Sequence, residues 1–108
     1  MMLRTDADSM AVARWMPYPT GMAITLLWDA DLERDKHIME MARAYLNDMI
    51  VHNRDPWIRH STRDKLKQVA AADDSAVRAR LFALIAEGNL RDALITLDSL
   101  IGQANADR

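Results

Sequence analysis

The sequence predicts an all-α protein: a small bundle of four to five helices with one long central helix and a C-terminal antiparallel helical hairpin. The long stretch from Met22 to Asn53 contains no Gly or Pro and carries apolar residues at helical spacing. Two amphipathic segments follow near the C-terminus, each ended by a glycine. At 108 residues the chain is predicted to be a single domain, 1–108, with residues 1–8 and 103–108 fraying at its ends.

The N-terminal third begins with a predicted short helix, Met10–Met16, which ends because Pro17 disfavours a helical residue before it. Residues 17–21 are predicted to be an extended connector, whose exposed tyrosine ring is also a candidate docking element. The next segment, Met22–Trp28, has strand propensity. A lone strand would leave its backbone groups unpaired, so we predict a helix, either continuous with the next one or broken at residues 29–31.

The central helix has an unusually wide apolar face. At ~100° per residue, its apolar sector spans roughly 180°, against the ~100° that covers a core on one side. One line of this sector is the predicted core: Leu32, Met39, Ala42, Leu46 and Ile50. The neighbouring flank is predicted to bind a partner, because Met and Tyr suit protein interfaces. Its members are Leu27, Trp28, Ile38, Met41 and Tyr45.

The segment after the central helix carries a basic band. Asp55 followed by Pro56 is a strong helix-start signal, and we predict a helix over residues 56–72. Residues 54–67 hold five cations and two carboxylates, a local charge of +3. Together with the following helix, this basic helix allows an alternative interpretation: a small DNA-binding transcriptional regulator of the helix-turn-helix type.

The last two predicted helices run from Ala76 to Glu87 and from Leu90 to Ile101, with Gly88 and Gly102 as their stop signals. The connecting segment, residues 86–94, resembles the hairpin turn of tetratricopeptide repeats in its glycine and the alanine five places on. This resemblance implies a tight antiparallel hairpin. A second copy at the period of about 34 residues is absent, so the sequence does not predict a repeat array.

Several kinds of site chemistry lack the residues they need. The chain has no cysteine, and its three histidines lie in separate segments without metal-ligand spacing. Residues 29–40 nearly match a calcium-binding EF-hand loop, but Arg34 stands where the loop needs glycine. Three scattered glycines cannot form a phosphate cradle, and no serine lies in a nucleophile turn. We therefore expect no catalytic residue, no cofactor and no metal.

Charge and hydropathy bear on location and partners. The net charge of −2 gives the molecule no overall attraction to nucleic acid or to an anionic membrane, so we expect neither contact. The longest apolar run is far shorter than the ~20 residues of a membrane span. With no apolar leader at its N-terminus, the protein is expected to be cytoplasmic.

These features together predict a protein-protein interaction. In size and composition, with eight Met, three Trp and a surplus of apolar helix surface, the chain resembles the small bacterial helical anti-activators of LuxR-type quorum-sensing regulators. The resemblance implies a non-enzymatic inhibitor that sequesters a transcription factor by occluding its dimerisation or DNA-binding surface. We also expect the apolar flank to pair two copies as a homodimer.

Overall fold

The computed structural model describes residues 16–52 and 60–106, and these residues form five α-helices and no strand. The all-α prediction is therefore confirmed, whereas most of the predicted helix 10–16 and the Asp55-Pro56 start signal lie outside the described residues. None of the described helices is both long and apolar enough to cross a bilayer. In chain order the helices are α1 (Tyr18–Leu27), α2 (Lys36–Val51), α3 (His60–Ala71), α4 (Ala76–Ala86) and α5 (Leu90–Ala106).

Helix α1 begins earlier than predicted. Residues 18–21 are helical rather than an extended connector, and Pro17 occupies the N-cap position with φ −51° and ψ 141°. Pro19 is tolerated in the first turn, because amides there have no acceptor within the helix and its missing N–H removes no bond. The amide of Gly21 already donates to the carbonyl of Pro17 at 2.9 Å. Met22–Leu27 is thus part of a helix, as predicted, and not a strand.

A short acidic turn separates α1 from α2. The side chain of Asp31 accepts a hydrogen bond from the amide of Glu33 at 3.1 Å, and Asp35 accepts one from the amide of Asp31 at 3.0 Å. These carboxylates satisfy backbone donors that the break in the helix leaves free. Of the two arrangements considered for this segment, the broken one is correct.

The helices pack in the spatial order α1, α2, α5, α4, α3, and α1 also touches α4. Among the described helices, α3 packs against α4 alone. The predicted core line is confirmed: Met39, Ala42 and Leu46 of α2 are buried, as is Leu32 in the turn before it, and Ile50 packs against the core. The largest fully buried side chains come from all five helices and include Ile24, Met39, Leu46, Leu66, Phe82, Ile85 and Leu97.

An ion pair joins the two longest described helices, α2 with 16 residues and α5 with 17. The Arg43 guanidinium donates two hydrogen bonds to the Asp98 carboxylate. These bonds and the charge of Asp98 raise the pKa of Arg43 above its ordinary value, so this cation stays charged.

The single long central helix and the antiparallel orientation of α4 and α5 stay predictions.

The turn between α4 and α5 uses its glycine as predicted. Gly88 has φ 75°, and the amides of Gly88 and Asn89 donate to the carbonyls of Ile85 and Leu84, the pattern of a Schellman motif. Asn89 then caps α5 through the amide of Asp92. The predicted stop at Gly102 is wrong, since α5 continues to Ala106.

Candidate protein-binding site

An open apolar groove of about 560 Å³ lies between α1 and α2. Two large side chains of the groove are exposed: Tyr18 at 71% and Met41 at 37%. Both residues would lose water contact if a partner covered the groove. The residues that line it are Tyr18, Pro19, Met41, Ala44, Tyr45 and Asp48.

Helical geometry explains why these side chains meet. Met41, Ala44, Tyr45 and Asp48 are spaced three and four residues apart, so they form one stripe beside the core line of α2. The ring of Tyr18 meets the ring of Tyr45 edge to face, with centroids 6.4 Å apart and planes at 84°. Such aromatic pairs contribute about 0.5–1.5 kcal/mol beyond their buried area. The pair therefore fixes one wall of the groove.

Two of the five residues predicted to bind a partner, Met41 and Tyr45, line this groove. Ile38 is half-buried against the core and is not among the lining residues. Leu27 and Trp28 are not on the surface: they are 0% and 2% exposed. Their predicted place in the flank is corrected, because α1 ends at Leu27 instead of continuing the stripe of α2.

The ring of Trp28 packs against Phe82 of α4, with centroids 5.7 Å apart and planes tilted by 30°. Trp28 thus belongs to the core that joins α1 to α4. Four groove residues, Tyr18, Pro19, Ala44 and Asp48, are absent from the predicted set. The sequence predicts that the ring of Tyr18 is a candidate docking element. Its position next to α2 depends on the helical start of α1, which the sequence does not predict.

Two exposed ion pairs lie along α2. Asp48 pairs with His52 at 2.8 Å and Lys36 with Glu40 at 3.6 Å, both one helical turn apart. Exposed pairs of this kind contribute at most about 1 kcal/mol each. The lining of the groove is mostly apolar, and Asp48 is the one carboxylate among its residues.

The described residues can be compared with the metal and DNA interpretations. No three His, Asp or Glu side chains among them group closely enough to hold a metal ion. Helix α4, the reader in the DNA-binding interpretation, packs against α1, α3 and α5. Its Arg78 donates to Asp73 at 3.0 Å and to the carbonyl of Ala30 at 2.7 Å, so this arginine holds the fold together.

The described part of the basic band, residues 60–67, belongs to α3, which packs on α4. Within it, Arg63 contacts His60, and Lys67 lies 3.9 Å from Glu87 at the C-cap of α4. Residues 54–59 of the band lie outside the described residues.

Comparisons of the chain with models of protein families, with curated proteins and with solved structures find no match.

Proposed function

We propose that this chain is a non-enzymatic inhibitor that binds another protein, a transcription regulator, and sequesters it by covering its dimerisation or DNA-binding surface. The observation that carries the proposal is the groove between α1 and α2, where two tyrosine rings and a methionine give a mostly apolar lining with one carboxylate. The resemblance in size and composition to helical anti-activators points to the same class of partner.

The groove has the composition of a protein interface. Tyr and Met are enriched at interface cores: a tyrosine ring gives large contact area at low entropy cost, and methionine adapts to irregular shapes. A partner side chain inserted between Tyr18 and Met41 would bury apolar surface at about 25 cal/mol per Å². Asp48, at the edge of the groove, would orient a donor of the partner.

Occlusion follows from competition for one surface. A regulator that places its own apolar dimer contact in this groove cannot use that contact for a second copy of itself. The inhibitor needs no catalytic residue for this effect, only affinity and the right concentration.

The partner is tested by affinity capture from the native host, read by mass spectrometry, with three forms of the bait. We expect the wild type and Ile95→Glu to capture the same regulator, and Met41→Glu to lose it. Ile95 is the matched control, since it is 65% exposed on α5 and outside the groove. Equal capture by the wild type and Met41→Glu would remove the groove from the proposal.

The same surface supports self-association, and we propose a homodimer in the absence of the partner. A buried glutamate without a counter-charge is costly, so Met41→Glu should shift the dimer toward monomer. Analytical ultracentrifugation measures this shift. If the wild type and Met41→Glu sediment as identical monomers, the homodimer proposal fails and the capture experiment still tests the inhibitor.

The alternative, a small DNA-binding regulator, has weaker support. Arg80 is the remaining exposed arginine of the proposed reader helix, because Arg78 is engaged with Asp73. A gel-shift with a salt titration separates the two functions, since phosphate contacts give affinity that falls steeply with salt. A steep, saturable shift of duplex DNA would favour the alternative over the inhibitor.

A further inference from the structure

A second cleft, of about 540 Å³, lies where the acidic turn before α2 meets the start of α4 and the later turns of α5. Its volume is within the roughly 300–1,000 Å³ of small-ligand sites. It shares no lining residue with the groove between α1 and α2. The residues that line it are Ala30, Asp31, Leu32, Glu33, Ser75, Val77, Arg78, Leu100 and Gln103.

The lining of the cleft is mixed: four of its nine residues are apolar and five are polar or charged. Leu32 is buried, Leu100 is half-buried and Val77 keeps a partly exposed side chain. Ser75 and Gln103 add a hydroxyl and an amide to the lining. Because polar lining groups need hydrogen-bond or charge partners, this mixed lining suits a small organic molecule with both an apolar and a polar part.

The charges of the lining residues set the sign of the ligand. Asp31 and Glu33 are exposed carboxylates at the cleft. The single cation of the lining, Arg78, is offset by Asp73, whose carboxylate is fully buried and lies 3.0 Å from the guanidinium. Arg78 also donates to the carbonyl of Ala30. The net charge offered to a ligand is therefore negative, and an anion would meet two carboxylates.

We propose that this cleft binds an organic cation with an apolar body, namely a primary amine or guanidine on an alkyl stem. The cationic group lies beside Asp31 and Glu33, and the stem packs on Leu32, Val77 and Leu100. The site is independent of the protein-binding groove, so either one can fail without affecting the other.

The test titrates the whole chain with a matched series of ligands. Two-dimensional amide NMR measures the binding of each one. Hexylamine and hexylguanidine should give saturable shifts at residues 30–33, 75–78 and 100–103. Hexanol, which has the same stem without charge, and hexanoate, with the opposite charge, should bind at least about tenfold more weakly. Equal affinity across the four compounds, or no saturable shift with the amine, would overturn the proposal without any mutation.

A variant arm locates the charge. The double substitution Asp31→Asn and Glu33→Gln should weaken hexylamine binding about tenfold, since each exposed charge contributes up to about fivefold. Asn keeps an acceptor for the Glu33 amide, and circular dichroism checks that the fold remains. Glu87→Gln, an exposed acid outside the cleft, is the matched control and should leave affinity unchanged. Unchanged binding by the double variant would contradict the assigned site.

A blocked lysine peptide separates the two sources of such a cation. Binding of the peptide with the affinity of hexylamine assigns the site to a lysine of another protein. Binding of hexylamine with at least tenfold preference over the peptide assigns it to a free amine. If neither hexylamine nor the peptide binds, the proposal is contradicted.

Discussion

Burial separates apolar residues that look alike in the sequence. Leu97 and Ile95 lie two positions apart on α5, yet Leu97 is 0% exposed and Ile95 is 65% exposed. We expect Leu97→Ala to lower the free energy of unfolding by about 2–5 kcal/mol, because it removes buried methyl groups and leaves a cavity. Ile95→Ala should change it by less than about 1 kcal/mol. Urea denaturation measures both, and equal losses would contradict the packing of α5.

The buried ion pair is the second contact argued at the scale of single residues. Removing Arg78 takes away the guanidinium that lies 3.0 Å from the fully buried carboxylate of Asp73. We therefore expect Arg78→Met to cost about 3 kcal/mol of unfolding free energy. The double variant Arg78→Met and Asp73→Asn should recover part of this loss. Thermal denaturation measures the stability of the single and double variants. A double variant less stable than the single one would refute the argument.

An exposed pair gives the control for that experiment. Arg43 and Asp98 are both partly exposed, and water screens their attraction. Arg43→Met should therefore cost at most about 1 kcal/mol, even though Arg43 donates two hydrogen bonds to Asp98. A loss as large as that of Arg78→Met would mean that exposure does not separate the two pairs.

At the scale of elements, the start of α4 depends on one hydroxyl. Ser75 occupies the N-cap with extended backbone, and its side chain accepts a hydrogen bond from the amide of Arg78 at 3.1 Å. Ser75→Ala removes this acceptor and should destabilise the fold by about 1 kcal/mol. Ser99→Ala, on the exposed face of α5, should be neutral or slightly stabilising, since alanine favours helix. Chemical denaturation of the two variants tests the difference in sign.

Two glycines should respond to the same substitution in opposite directions. Gly102 lies inside α5, and a Cβ there would meet no atom within 4 Å. Gly102→Ala should therefore stabilise the protein by about 0.5–1 kcal/mol. Gly88 has φ 75°, and Gly88→Ala should destabilise it by about 1–2 kcal/mol. If the denaturation midpoints of both variants move the same way, the assigned end of α4 or of α5 is wrong.

The arrangement of the whole molecule predicts uneven protection. Among the described helices, α3 packs against α4 alone, whereas α2 lies between α1 and α5. Local opening of α3 exposes less apolar surface, so its amides should exchange with deuterium faster than those of α2. Native-state hydrogen exchange measures this, with α5 as an internal reference. Equal protection of α2 and α3 would indicate that the helices open as one unit.

The sequence by itself determined the helices. Apolar spacing placed α2, α4 and α5, the core line of α2 was correct, and Gly88 was recognised as the end of α4. These features depend on residues within a few positions of each other, so local patterns carry them. The early start of α1 was missed, because Pro19 signals a helix interrupter unless its place in the first turn is known.

Only the tertiary structure decided which apolar residues face water. Leu27 shares the helical periodicity of Tyr45, but the break after α1 places both Leu27 and Trp28 in the core. The ring of Tyr18 meets Tyr45 only because α1 and α2 pack together, and the acidic cleft draws on segments up to about 70 positions apart. Contacts between distant segments depend on how helices dock, and local periodicity carries no information about that docking.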